Sequence, residues 1–410
     1  MMKTTETPAR HGALACAALC MLLASLGTSI ANIALPALTI AFAAPLASVQ
    51  WVVIAYLAAM TATALLAGRL GDRFGHRNIL LAGLALFLVA SLACAAATEL
   101  WALVAARTVQ GAAAACLMVL TVAMMRSTVG PQRVGRAMGM LGTMAAVGTA
   151  LGPSLGGLLL ALLPWWSVFA VLVPLAALAL LLGWRVLPKG AEAVAGTGFG
   201  WVLLRQRQFV LRLVANAVVA LVMMTTLIVG PFYLTLGLGL STAAMGAVMS
   251  VGPVISILSG IPSGRLTDAI GAERVTGLGL VAMCAGAGAL VMLPGVLGLT
   301  GYLLAIAVLT PGYQMFQAAN TAGAMAASPA DRRGMTSGLL GLARNIGLIG
   351  GASVMGVVFA TGVGTDELTE ATPASIGAGL QLAFGICAVL LAMVLAVGRM
   401  KQEARGQEIG

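Results

Sequence analysis

Acidic side chains are scarce in this chain. There are 12 in 410 residues, and none falls near the middle of an apolar run. Charged residues of both signs make up 8%, against about 25% in soluble domains. So little charge cannot keep a water-soluble fold of this size dispersed. Only two histidines occur, His11 and His76, both near the ends of apolar runs. No His–acid or acid–acid pair is therefore embedded, which leaves an enzyme little chemistry to use. No phosphate loop of the GxxxxGKS or GxxxxGKT type occurs, which excludes an ATP-driven pump. The six cysteines all lie in apolar runs without CxxC spacing. Cys16 and Cys20 are one helical turn apart but have no nearby histidine, so they read as small buried residues. Neither a metal nor a cofactor is expected.

What is present is apolar residue in quantity, 60% of the chain, with a mean hydropathy of +1.05. A bilayer core of about 30 Å needs about 20 apolar residues per helix. Twelve segments qualify, near 13–35, 47–68, 78–98, 100–125, 135–162, 165–184, 209–234, 242–264, 275–293, 299–325, 335–361 and 375–398. The first runs on into Asn32 and Pro36 with no cleavage site, and reads as a membrane helix rather than a signal peptide. With both termini on one side, the loops of that side hold 20 of the 22 basic residues and the opposite loops hold none. The other two are Arg107 and Arg344, inside spans. The positive-inside rule then makes both termini cytoplasmic. The net charge of +10 is topogenic, and no nucleic-acid partner is expected.

The chain repeats itself. "GRLGDRFGHR" from Gly68 is echoed by "GRLTDAIGAER" from Gly264, with Asp72 and Asp268 separated by 196 residues (268 − 72). Gly135, Gly139 and Gly142 match Gly334, Gly338 and Gly341, each 199 residues later (334 − 135). The expected organisation is all-α: a six-helix bundle over 1–188, a cytoplasmic Gly/Ala-rich linker over 189–208 and a second six-helix bundle over 209–410. Six is even, so the two halves are parallel repeats.

Four stretches carry chemistry. Gly68-x-Leu70-x-Asp72-Arg73-x-Gly75-His76-Arg77 is a tight turn, in which Gly68 and Gly75 permit close approach or positive φ. "LVAARTVQGAAAA" from Leu103 puts Arg107, Gln110 and Gly111 on one helical face. "GTALGPSLGG" from Gly148 places Gly148, Gly152 and Gly156 every four residues, a smooth ridge for close helix packing, with Pro153 able to bend the helix. "SIANIALP" from Ser29 lies in the first span. These stretches resemble the loop 2–3 signature, the second motif, the antiporter motif and the first-helix signature of the major facilitator superfamily, the last two as found in its drug:proton antiporters. Gly27 stands where those antiporters often carry an acid.

The resemblance implies two bundles rocking about a central site in a bacterial inner membrane. It implies export of a small organic compound by proton antiport, with the lipid bilayer as surroundings and a monomer as the working unit. A facilitator-type metabolite importer is the alternative. It implies gating roles for Gly68, Asp72, Arg73, Gly75, Arg77 and Asp268. Asp72 is expected near Gly334–Ser337 and Asp268 near Gly135–Met138. Gly152, Pro153 and Gly156 are expected in a bent helix at the interface between halves. Polar stripes, Ser29 and Asn32 on the first helix and Tyr313, Gln317 and Asn320 on the tenth, join Tyr56, Arg107 and Gln110 as the expected substrate and coupling pathway. A buried charge costs about 2.5–3.5 kcal/mol on insertion scales, so Arg107 is expected to have a function.

Overall fold

The computed structural model describes residues 6–128, 134–187, 205–328, 333–365 and 371–409. The helices of the first part are α1 (Glu6–Ile33), α2 (Leu35–Ala41), α3 (Leu46–Val49), α4 (Trp51–Phe74), α5 (His76–Ala95), α6 (Leu100–Thr128), α7 (Val134–Leu162), α8 (Ser167–Ala170) and α9 (Leu172–Val186). The second part holds α10 (Arg207–Phe232), which continues through a π-turn at Tyr233–Gly237, then α11 (Thr242–Ile270), α12 (Ala272–Ala326), α13 (Arg333–Val363) and α14 (Pro373–Ile409). No strand occurs among the described residues. This follows from the composition, because apolar segments in lipid must satisfy their backbone groups internally and helices do so.

Among the described residues, ten helical segments are long and apolar enough to cross a membrane. One of them, α12, has 55 residues and a non-helical residue inside it, Gly298, at φ 54 and ψ −128. The tail of α7, Val147–Leu162, is a shorter apolar stretch. Large apolar side chains stand on the outside, Leu258 at 71% and Ile261 at 70% exposure among them, as a lipid-facing surface requires.

The chain forms two compact units, one of Met1–Ala44 with Ser48–Thr197, the other of Pro45–Ala47 with Gly198–Gly410. In the first, α1 packs along α7, α4 along α6, and α5 against α6 and α9. In the second, α10 packs along α13, α11 along α12, and α12 along α14. Most of the expected linker, and the acidic loop with Asp366, Glu367 and Glu370, lie outside the described residues.

The repeated turn has one backbone solution. Gly75 separates α4 from α5 at φ 88, and Gly271 separates α11 from α12 at φ 89. They are 196 residues apart (271 − 75), the offset of Asp72 and Asp268. This left-handed conformation costs an L side chain strain that glycine avoids.

Candidate substrate and coupling site

The polar side chains of the first unit converge on Arg107. Its guanidinium is fully buried, at 0% exposure. Nε donates to the Val52 carbonyl at 2.9 Å and Nη1 donates to Gln110 Oε1 at 2.5 Å. The guanidinium carbon lies 4.1 Å from the centre of the Tyr56 ring and 5.7 Å from that of Phe169. Gln110 Nε2 passes the chain on to Ser91 Oγ at 2.7 Å, and Ser91 donates to the Phe87 carbonyl at 2.7 Å. Nη2 has no hydrogen-bond partner among the described residues. Among the described residues no carboxylate contacts the group. An arginine without a counter-ion is held by carbonyl and amide oxygens and by the faces of two rings, the latter worth about 2 kcal/mol when desolvated.

The local sequence explains this placement. Arg107 and Gln110 are three apart on α6 and share a face. Gly111 follows on the same face, and a Cβ there would overlap the Tyr56 carbonyl. Glycine thus brings α6 against α4 closely enough for Arg107 to lie flat on Tyr56. Tyr56 is fixed in turn by a 2.8 Å hydrogen bond from its hydroxyl to the Ala24 carbonyl of α1. Gly27 lies beside it: a Cβ at Gly27 would stand 3.1 Å from the Tyr56 hydroxyl and 3.4 Å from Phe87. The position where related antiporters often carry an acid therefore faces the arginine's aromatic platform.

The stripe on α1 is turned into packing. Ser29 donates to the Gly148 carbonyl of α7 at 3.1 Å, and a Cβ on Gly152 would run into Ser29 itself. Gly156 fits against Ile33 in the same way. The ridge of α7 is seated on α1 of its own unit, with Pro153 buried inside the helix. Asn32 donates to the Thr28 carbonyl at 3.1 Å, and its Oδ1 is buried without a partner. Ser29, Asn32, Tyr56, Arg107 and Gln110 are all at 1% exposure or less. They lie within the packing of the unit, not on its surface.

In the second unit Gln317 Nε2 donates to the Tyr313 hydroxyl at 3.4 Å, and Asn320 Nδ2 to the Arg212 carbonyl at 3.4 Å. Asn320 Oδ1 is buried and unpartnered. Arg344, expected inside a span, is exposed.

At the turn, Asp72 Oδ1 lies 3.3 Å from His76 Nε2, one helical turn on. Arg77 donates to the Leu187 carbonyl at 3.0 Å and the Trp184 carbonyl at 2.9 Å, anchoring α5 on the end of α9, where free carbonyls favour a cation. Arg73 is exposed, its guanidinium carbon 5.2 Å from the Phe74 ring centre. Gly68 sits within α4 in ordinary contact with Val119. Asp268 is exposed and pairs with no described residue. The stretches expected to receive the two aspartates have, Thr336 apart, no described side chains.

These features define a multi-pass helical transporter with a buried cationic centre. The model of the Major Facilitator Superfamily matches residues 17–352, and the chain belongs to that family. Its relatives are membrane transporters, not enzymes. An uncharacterized transporter of Escherichia coli, YebQ, is 29% identical over 86% of this chain and 89% of its own. The multidrug efflux pump LfrA of Mycolicibacterium smegmatis is 27% identical over 94% of this chain and 88% of its own. In fold, the chain matches the crystal structure of a bacterial homologue of the human lysosomal transporter Spinster with a TM-score of 0.77, at 18% identity, over 96% of each chain.

The sequence alone did not point to Ser91, Cys94 or Phe169 as neighbours of this centre. Cys94 Sγ stands 3.9 Å from Gln110 Oε1. Two of the three are apolar or near-apolar types, so no pattern marked them.

Proposed function

We propose that this protein is a secondary exporter of small organic compounds in a bacterial inner membrane, driven by proton entry and working by alternating access. The observation that carries the reading is the seam between α1 and α7. Two motifs that resemble those of drug:proton antiporters, separate in sequence, meet there: Ser29 bonds the Gly148 carbonyl, and Gly152 makes room for Ser29. A multidrug efflux pump aligned over nearly the entire chain supports the same direction of transport. Twelve crossings with cytoplasmic termini complete the proposal. The break at Gly298, which divides α12 into two arms, and the shorter apolar stretch Val147–Leu162 of α7 support that count.

Coupling runs through the Arg107 centre. A fixed cation with its Nη2 unpartnered, backed by Gln110 and Ser91, sets the field for a proton or an anionic group in the first unit. The substrate is then neutral or anionic. A cation would need an embedded acid, and Gly27 leaves that place without one. At an effective dielectric near 20, like charges 8 Å apart cost about 2 kcal/mol. A substrate screen in a strain lacking its own exporters checks this, with matched quaternary ammonium, neutral and carboxylate compounds. Uncoupler-sensitive export of the neutral and carboxylate compounds is expected. Robust export of the quaternary dye contradicts the charge assignment.

Asp72 and Asp268 act as latches rather than binding groups, each worth about 1–2 kcal/mol to the conformation closed at the cytoplasm. Asp72→Asn is expected to lower turnover and leave substrate affinity near wild type. Side-by-side binding and transport assays read the two quantities. A large loss of affinity with an unchanged rate of conformational exchange contradicts the latch.

A further inference from the structure

The second unit contains a two-lobed hollow at the basic ends of its helices. The larger lobe, about 810 Å3, has an apolar wall built by Leu211, Val214 and Val218 of α10, Leu278 and Val281 of α12 and Met393 of α14. The smaller, about 490 Å3, is lined in part by Gln206 and Ser328. The lobes share Gln208, Arg212, Ile270, Glu273 and Arg274, and so join at a pair of arginines.

Arg212 is unusual among them. Its side chain is half-buried, and its guanidinium lies in space that Gly323 leaves open, where a Cβ would stand 2.6 Å from Nη1 and 2.9 Å from Nη2. Among the described residues that guanidinium makes no hydrogen bond and no ion pair within 4 Å. Glu273 interacts with it only at longer range. Arg274 is exposed and likewise pairs with no described carboxylate. Among the described residues neither guanidinium fork has a hydrogen-bonded or ion-paired acceptor within reach, Glu273 acting only at longer range, and planar forks of this kind match phosphate oxygens.

We propose that this hollow binds an anionic phospholipid, with its phosphate between Arg212 and Arg274, an acyl chain in the larger lobe and its polar head in the smaller. A free anion has no use for the apolar lobe. A plain hydrocarbon has no use for the arginines. Only an amphiphile with the charge between its two parts fits the sequence of tail wall, arginine neck and polar lobe. Basic pockets between helices at the cytoplasmic face suit such head groups. Gln206 and Gln208, both exposed, offer hydrogen bonds to a hydroxylated head. A volume of 810 Å3 falls at the upper end of the about 300–1,000 Å3 of small-molecule sites. Placement in the cytoplasmic leaflet rests on the orientation proposed above; the binding itself does not.

The test is native mass spectrometry of the full-length protein in detergent, titrated with dioleoylphosphatidylglycerol, dioleoylphosphatidylcholine or glycerol phosphate. A saturable phosphatidylglycerol adduct is expected, with phosphatidylcholine and glycerol phosphate far weaker. In the Arg212→Gln, Arg274→Gln double variant, phosphatidylglycerol binding should weaken about tenfold or more. Val281→Trp keeps both arginines and fills the tail lobe. It should give a comparable loss, and serves if the double variant is not recovered folded. Unchanged phosphatidylglycerol binding in either variant overturns the proposal. So does phosphatidylcholine binding as tightly as phosphatidylglycerol. Glycerol phosphate binding as tightly as the lipid overturns it in favour of a soluble phosphate ester. The readout is lipid occupancy, so failure of the export assignment would leave it unaffected.

Discussion

Arg107→Lys is expected to abolish transport while the protein stays in the membrane at close to wild-type abundance. The ammonium keeps the charge and can still reach the Val52 carbonyl. It cannot hold Val52 and Gln110 in one plane while lying flat on Tyr56, as the guanidinium does. A lost hydrogen bond to a charged group costs about 1.5–3 kcal/mol. If that is lost from the conformational or proton-transfer barrier, each 1.36 kcal/mol is about a factor of ten in rate. The expected fall is thus about a hundredfold. Abundance holds because a buried ammonium with a carbonyl partner is still accommodated, and the contacts of α6 with α4 and α5 do not depend on it. Transport normalised to membrane protein reads the effect. Wild-type transport in the lysine variant would reduce Arg107 to a structural residue.

Gly152→Ala and Gly347→Ala should each lower the amount of folded protein several-fold. An added methyl at Gly152 meets Ser29 Cβ at 2.6 Å and the Ile30 nitrogen at 2.9 Å, and one at Gly347 runs into the Ala217 carbonyl. Backbone cannot yield as a flexible side chain does, and overpacking costs about 1–3 kcal/mol. Alanine in a helix otherwise gains about 0.5–1 kcal/mol over glycine. Gly288→Ala, where nothing lies within 4 Å of the added carbon, should therefore be neutral or stabilising. Ser29→Gly in the Gly152→Ala background should restore part of the loss. Thermal melting in detergent orders the four variants. A Gly347→Ala protein as stable as wild type would show that the α10–α13 approach is looser than described.

Gly347 also marks how far the sequence could be read. The 199-residue offset found for Gly135, Gly139 and Gly142 continues to Gly148 and Gly152, which match Gly347 and Gly351. Both pairs meet the first long helix of their unit, Gly148 at the Leu22 carbonyl and Gly351 at the Leu221 carbonyl. The signal was in the sequence, but extending it required knowing which face of the helix is crowded. The single-glycine turns at Gly75 and Gly271 were legible because a left-handed residue between two helices demands glycine. The apolar runs showed the helices and also placed a break between 293 and 299, where the structure has its non-helical residue, Gly298.

The candidate site was legible in part. Arg107 stood out because a charge inside an apolar run needs a reason, and Gln110 stood out through its spacing. Their enclosure by Tyr56, Phe169 and Ser91 depends on which helices touch, and no local pattern encodes that. The stripe on α1 was expected to belong to the substrate and coupling pathway. In the structure Thr28, Ser29 and Asn32 spend their donors on backbone carbonyls of α1 and α7. Neutral polar residues serve packing and transport equally well, and sequence cannot separate the two uses.

Proton-driven export is the central claim, and transport into inverted membrane vesicles tests it most directly. A neutral or carboxylate compound taken from the screen is offered outside, with a pH gradient, acid inside, imposed without any other energy source. Accumulation that depends on the gradient, releases protons from the lumen and disappears in Arg107→Lys is the predicted result. Equal entry with and without the gradient, or uptake only in right-side-out vesicles, would contradict it.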